Sequence, residues 1–380
     1  APTWGNRLMM TSADRLDYRP EHRDSGETVT TIAIDTPAGP LTDVKGSNPR
    51  THTIWTIKHA CESVDDIEKM LSCDWSLPDD AAPPTWDDMP EDFDRRGIRS
   101  AFVSSPMVCV AGAMPYELFL ELCITEPDLI HQCTRMCMDR ILATLDVALA
   151  KEDVDYVWMG GCEWLTPPMG SPALYEQFVQ HYEKPLIDRI HAGGAISHVH
   201  CHGNVRQTME WVIERGGDFL EPMEPPPDGD ITMAEAKERA AGRICLGGNV
   251  EARILECAPL DEAEAACRAA FEGPHNDRMS FQTSAGPIGE ISDQCVANYH
   301  RLIDVWATWC GPCRRETPYL KKVHGQYGDD PRFAILGISL DSEKPELEAY
   351  IKREEIAWPQ VYAGEVPGFD VASMWGIRGI

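Results

Sequence analysis

Leu302-Ile303-Asp304-Val305-Trp306-Ala307-Thr308-Trp309-Cys310-Gly311-Pro312-Cys313 runs from an apolar strand pattern straight into a Cys-x-x-Cys pair. Past it, the residue pattern predicts a helix over 312–327, a strand over 332–339, a helix over 343–354 and a strand over 359–362. This is a βαβαβ order with the two cysteines where the first strand gives way to a helix. That position has chemical meaning. The free N–H groups and positive dipole end of a helix stabilise a thiolate at the first cysteine. Cys310 would attack a disulfide, and Cys313, one turn further in, would resolve the mixed disulfide. Pro312 suits the first helical turn, where no N–H is required. The alternatives are half of a zinc site or two structural thiols. A zinc site needs a second ligand pair, and none follows Cys313 in this sequence.

Working outward toward the N-terminus, short apolar runs alternate with amphipathic helices. Strand patterns cover Ile98–Ser104, Val154–Met159, Ala195–His200, Phe219–Glu221, Ile244–Gly247 and Met279–Thr283. Helices are predicted over 115–123, 126–151, 172–191, 204–214, 233–241, 261–271 and 290–302. Strand and helix in this alternation give a parallel sheet with crossover helices. Six strands are two short of a closed (β/α)8 TIM-type barrel, so the expected barrel is incomplete toward the N-terminus. Further upstream, Thr28–Ile34 and Gly39–Val44 predict a hairpin, and Ser63 is the expected N-cap of a helix over 63–71. Residues 75–94, rich in Pro and Asp, predict a surface loop. The expected domains are 1–302, the barrel, and 303–380, the redox unit.

The composition narrows the function. The 380 residues carry a formal net charge of −28, which repels polyanions and argues against nucleic acid or an anionic membrane as partner. No stretch of about 18 apolar residues is available to span a membrane. Ala1 to Pro20 lack the apolar core of a signal peptide. Most of the 14 cysteines sit in apolar or helical contexts, which fits buried thiols in a reducing cytoplasm better than a disulfide framework.

Upstream of the Cys-x-x-Cys, the most informative segment is Gly194-Ala195-Ile196-Ser197-His198-Val199-His200-Cys201-His202-Gly203-Asn204. Alternate residues of a strand share a face, which aligns His198, His200 and His202. His200 and His202 are the candidate ligands of a divalent metal such as zinc, with His198 read as barrel packing. Neighbouring strand ends supply carboxylates: Glu163, Glu221 with Glu224, and Glu251. The proposed metal set is His200, His202, Glu163, Glu221 and Glu251. The bland reading is that these imidazoles simply hydrogen-bond the backbone.

Two family resemblances are carried by these motifs. Trp306-Ala307-Thr308-Trp309-Cys310-Gly311-Pro312-Cys313-Arg314-Arg315-Glu316-Thr317-Pro318, with Ile335-Leu336-Gly337-Ile338-Ser339-Leu340-Asp341, resembles the thioredoxin-like family of TlpA and ResA type. The resemblance implies that the acid at Glu316 tunes the cysteines. Read from the residues alone, Glu316 is either a proton acceptor for Cys313 or a solvated helix charge. No cofactor is needed there, and the partner is a protein or small disulfide. The family continues into a cis-proline that faces the disulfide, whereas this sequence reads Gly376-Ile377-Arg378-Gly379-Ile380, so a domain truncated before that proline is expected.

Residues 25–302 resemble the uroporphyrinogen decarboxylase superfamily, particularly its cobamide-dependent methyltransferase branch. Gly161-Cys162-Glu163 with Pro167-Pro168, His200 to Asn204, Glu221-Pro222-Met223-Glu224-Pro225-Pro226, Gly248-Asn249-Val250-Glu251 and Thr283-Ser284-Ala285-Gly286-Pro287 carry it. This implies a small-molecule substrate in the barrel mouth, zinc, and a corrinoid as methyl donor. Two departures shape the expectation. No arginine-rich segment for substrate carboxylates lies between Ala1 and Gly97, and His202 and Ser284-Ala285 stand where the methyltransferase branch has cysteine ligands. A His/carboxylate site favours oxygen or nitrogen ligands over thiolate. Methyl transfer or another metal-assisted reaction is therefore expected ahead of porphyrinogen decarboxylation. Because Val296 to Ile303 enters the redox strand without a spacer, two alternatives stand beside a bifunctional enzyme. One is a composite or frame-disrupted chain with an inactive redox fragment. The other is a barrel that only binds a corrinoid or tetrapyrrole.

Overall fold

The computed structural model describes residues 7–362 apart from 52, 79, 80, 88, 90–92, 94–96, 286–291, 293, 296, 297, 299–303, 328–334, 336 and 342. The chain divides into two compact units, Ala1–Met89 with Ile98–Ile231, and Pro90–Gly97 with Thr232–Ile380.

The first unit begins with an antiparallel meander of β1 (Leu16–His22), β2 (Thr28–Ile34), β3 (Leu41–Asn48) and β4 (Thr53–Lys58). The expected hairpin is β2–β3, with Ile34 opposite Leu41. β1 and β4 escaped sequence reading because neither alternates: β1 is exposed along most of its length and carries Pro20, and β4 is almost wholly exposed. α1 (Val64–Leu71) starts where expected, with the Ser63 hydroxyl accepting from the Asp66 amide at 3.3 Å.

Four parallel strands follow, with helices between them. They are β5 (Ser100–Ser104), then α2 (Pro106–Ala111), α3 (Tyr116–Thr125) and α4 (Pro127–Ala148); β6 (Tyr156–Gly160), then α5 (Pro172–Tyr175) and α6 (His181–Ala192); β7 (Ile196–His200), then α7 (Thr208–Glu214); and β8 (Phe219–Glu221). The helix expected over 172–191 is one rod interrupted by a π-helical turn, Glu176–Gln180. Pro185 lies inside α6 and offers no N–H to the turn before it.

The parallel register places Trp158 beside His198 and Gly160 beside His200, while His200 faces Glu221. Alternation then splits the sheet. Ala101, Val157, Met159, Val199 and Leu220 are buried on one face, whereas Phe102, Trp158, His198, His200 and Glu221 share the other. Under the apolar face, Arg215 and Glu183 form an ion pair with neither side chain exposed, and Arg215 also donates to Gln180 Oε1 at 2.9 Å.

The second unit holds α8 (Met233–Ala240), β9 (Cys245–Gly247), α9 (Ala252–Cys257), α10 (Leu260–Ala270) and β10 (Met279–Ser280), with β9 and β10 parallel. It continues through β11 (Asp304–Trp306), α11 (Gly311–Tyr327), β12 (Gly337–Ser339), α12 (Lys344–Glu354) and β13 (Gln360–Tyr362). These last three strands form a parallel sheet in the order β11-β12-β13. Ile335, Leu347, Tyr350, Ile356 and Trp358 make its core. The α/β class holds throughout, and each of the six predicted strands from β5 to β10 is present. The helix predicted over 290–302 and the segment 376–380 fall largely or wholly outside the described residues.

Candidate functional site

In the first unit, the candidate residues meet at the carboxyl ends of β6, β7 and β8. His200 and Glu221 are the last residues of neighbouring strands, so the register alone brings them together. His200 Nδ1 lies 2.5 Å from Glu221 Oε1. His198 Nε2 lies 2.9 Å from the same oxygen but without hydrogen-bond alignment. Burial alone would raise the Glu221 pKa; the two adjacent imidazoles outweigh it and hold the carboxyl at about 2. Beyond the strand end, His202 Nδ1 lies 2.9 Å from Glu224 Oε1, and Glu224 Oε2 accepts from the Gly203 amide at 2.8 Å. Burial works to lower the His202 pKa, but the bond to Glu224 and the charges of Glu224, Glu163 and Glu221 raise it.

Two glycines permit this close packing. Gly161 has φ of +118°, and a Cβ there would stand 2.4 Å from Val108 Cγ1. Gly203 has φ of +97°, and its Cβ would stand 2.7 Å from the Pro167 carbonyl oxygen. Gly161 also turns Glu163 back on itself, since its amide donates to Glu163 Oε2 at 2.9 Å.

The His200 and His202 rings meet edge-on with centroids 4.7 Å apart, and Trp158 lies 4.9 Å from His200. Both imidazoles use Nδ1 toward a carboxylate, which sets the ring orientation and leaves Nε2 available, the arrangement proteins use to orient metal-binding histidines. Among the described residues, no three His, Cys, Asp or Glu side chains are grouped as a metal site. Cys201 is fully buried with its sulfur 3.1 Å from Thr166 Oγ1, and Cys162 Sγ donates to the His200 carbonyl at 3.5 Å. Both thiols thus lie off the face that bears the imidazoles.

Glu251 belongs to the second unit. Its Oε1 accepts from Asn249 Nδ2 at 2.5 Å and its Oε2 from the Ser284 hydroxyl at 2.9 Å. Glu224 and Trp158 complete the histidine site and were absent from the expected metal set. Glu224 was already among the carboxylates expected at the strand ends, though outside the metal set; Trp158 carried no signal beyond strand alternation.

The redox pair is well placed. Cys310 and Cys313 form a disulfide with Cα atoms 5.3 Å apart, and the Cys313 amide donates to Cys310 Sγ at 3.1 Å. Cys310 is 1% exposed, whereas the preceding Trp309 is 52% exposed. Glu316 lies on α11, and its side chain is outside the described residues.

Comparison with known proteins divides the chain between residues 286 and 300, not at the 231/232 boundary of the compact units. Residues 96–286 match the family described as uroporphyrinogen decarboxylase (URO-D), and residues 300–380 match the thioredoxin-like family. The thioredoxin-like protein YneN of Bacillus subtilis is 30% identical over 91 residues, 23% of this chain and 51% of that protein. The thiol-disulfide oxidoreductase ResA of Halalkalibacterium halodurans is 30% identical over 79 residues, 20% of this chain and 42% of that protein. The chain thus spans about half the length of these curated relatives, or somewhat less. Among solved structures, a methyltransferase from Methanosarcina mazei aligns with 15% identity and a TM-score of 0.46, covering 65% of this chain and 70% of that one. The uroporphyrinogen decarboxylase match takes in half of the chain, so the protein belongs to that family and carries a thioredoxin-like domain behind it.

Proposed function

We propose that the chain is a two-part enzyme, with thiol–disulfide exchange at Cys310 and Cys313 and metal-assisted methyl transfer, ahead of decarboxylation, at the histidine site. The observation that carries the redox half is the Cys313 amide directed at Cys310 Sγ from the first turn of α11. A thiolate at Cys310 gains that N–H and the positive helix end. It attacks a disulfide, forming a mixed disulfide and releasing one thiolate. The Cys313 thiolate then attacks the Cys310 sulfur, releases the second thiolate and leaves the Cys310–Cys313 disulfide. Two electrons pass from the pair to the substrate.

In the histidine site, His200 and His202 would hold a divalent ion such as zinc through Nε2, with Glu221 and Glu224 fixing the rings from behind. The fit rests on that carboxylate–imidazole pairing, which supplies nitrogen donors and no thiolate. Such an ion, when bound, supplies Lewis acidity to a small substrate's oxygen or nitrogen. A corrinoid methyl donor accompanies the methyl-transfer reading. A cytoplasmic setting is supported by twelve cysteines that carry no disulfide.

Insulin reduction with dithiothreitol tests the redox half, which fails if Cys310→Ser retains the wild-type rate. Metal analysis and cobamide-dependent thiol methylation test the other half. Equal metal content in the wild type and the His200→Ala, His202→Ala variant would remove its basis.

A further inference from the structure

A buried carboxylate ties down the chain just before the redox pair. The register of β11 and β12 sets Trp306 beside Ser339, and the same spacing carried two residues further sets Thr308 near Asp341. The Thr308 amide donates to Asp341 Oδ1 and Oδ2 at 3.0 and 3.1 Å, and the Thr308 hydroxyl donates to Oδ1 at 2.6 Å. The Ser339 hydroxyl donates to Oδ2 at 2.8 Å and accepts from the Asp341 amide at 3.1 Å. Asp341 is 3% exposed and Ser339 fully buried. Burying a carboxylate is costly unless its lone pairs are filled, and here both oxygens are occupied by donors from the Cys310 approach and from β12.

We infer that Asp341 is a positioning residue for Cys310, holding Thr308 so that the Cys310 sulfur faces the Cys313 amide. The inference rests on the thiol–disulfide reading, in which that amide stabilises the Cys310 thiolate. Thr308 stands two residues before Cys310, and the Cys310 amide in turn donates to the Ala307 carbonyl at 3.1 Å. The turn is therefore anchored on both sides of Thr308. Asp341 acts through this geometry and touches neither sulfur in any hydrogen bond of the described residues.

The test is the pH profile of Cys310 alkylation by iodoacetamide in the full, reduced chain, read by mass spectrometry of the peptide containing Cys310. A Cys313→Ser background keeps the label on one thiol. The parent midpoint is expected below the ordinary thiol value of about 8.5. Asp341→Asn and Thr308→Val are expected to raise it by about half a pH unit or more, a roughly threefold loss of thiolate at neutral pH. Thr308→Ser, which keeps the hydroxyl, is expected to restore the parent midpoint. Thr308→Val removes a single hydroxyl and keeps the test valid if Asp341→Asn fails to fold. An unchanged midpoint, even with lower thermal stability, would overturn the positioning role. A downward shift would overturn it too, because removal of a repelling charge and not loss of alignment would then dominate. A parent midpoint at the free-thiol value would instead sink the thiol–disulfide reading beneath it.

Discussion

Replacing Glu221 by glutamine should destabilise the first unit at neutral pH and much less in strong acid. The carboxyl is 6% exposed, has His200 Nδ1 at 2.5 Å and His198 Nε2 at 2.9 Å, and is held at about 2 against an ordinary value of 4.5. That difference of about 2.5 pH units, 4.5 minus 2, corresponds to roughly 3 kcal/mol at about 1.4 kcal/mol per unit. A depressed carboxyl contributes stability that is present above its unfolded value and is lost as pH falls from 4.5 toward 2. Glutamine keeps the shape and one acceptor but removes the charge. Urea unfolding of wild type and Glu221→Gln at about pH 7 and pH 2.5 should show a loss of up to roughly 3 kcal/mol at the higher pH and clearly less at the lower. Equal losses at both values, or none at the higher, would refute the charge-pairing argument.

Three further outcomes follow from the same geometry. His202→Gln should leave the protein less stable in acid but little changed in base. A raised histidine pKa stabilises the fold below its unfolded value and loses that effect as pH climbs through the folded one, so melting curves across pH check it. Arg215→Met should cost about 3–5 kcal/mol by stranding the buried Glu183 charge, whereas the double variant with Glu183→Leu should recover much of that loss in denaturant titrations. Ser63→Ala should cost about 1 kcal/mol through the lost cap on the Asp66 amide, seen as a lower urea midpoint with unchanged slope.

Much of this protein was legible in its sequence because the relevant physics is local. Strand–helix alternation follows from hydrophobic period, which is why β5 to β10 and β11 to β13 fall close to their predicted positions. Cys310-Gly311-Pro312-Cys313 encodes its own helix start, and the Cys313 amide meets the Cys310 sulfur without help from distant residues. His200 and Glu221 were separately suspected because each ends an apolar strand. The tertiary structure alone decided their pairing: a parallel register matches residues 21 apart, and no sequence period reports it. It likewise drew Glu224 onto His202 across 22 positions. Asp341 shows the same limit, since its partner Thr308 lies 33 residues away and only the pairing of β11 with β12 brings them into contact. Residue type and periodicity determine which elements form and which groups can do chemistry. Which groups meet is settled by backbone hydrogen bonding between strands, a non-local interaction whose register depends on packing the buried face.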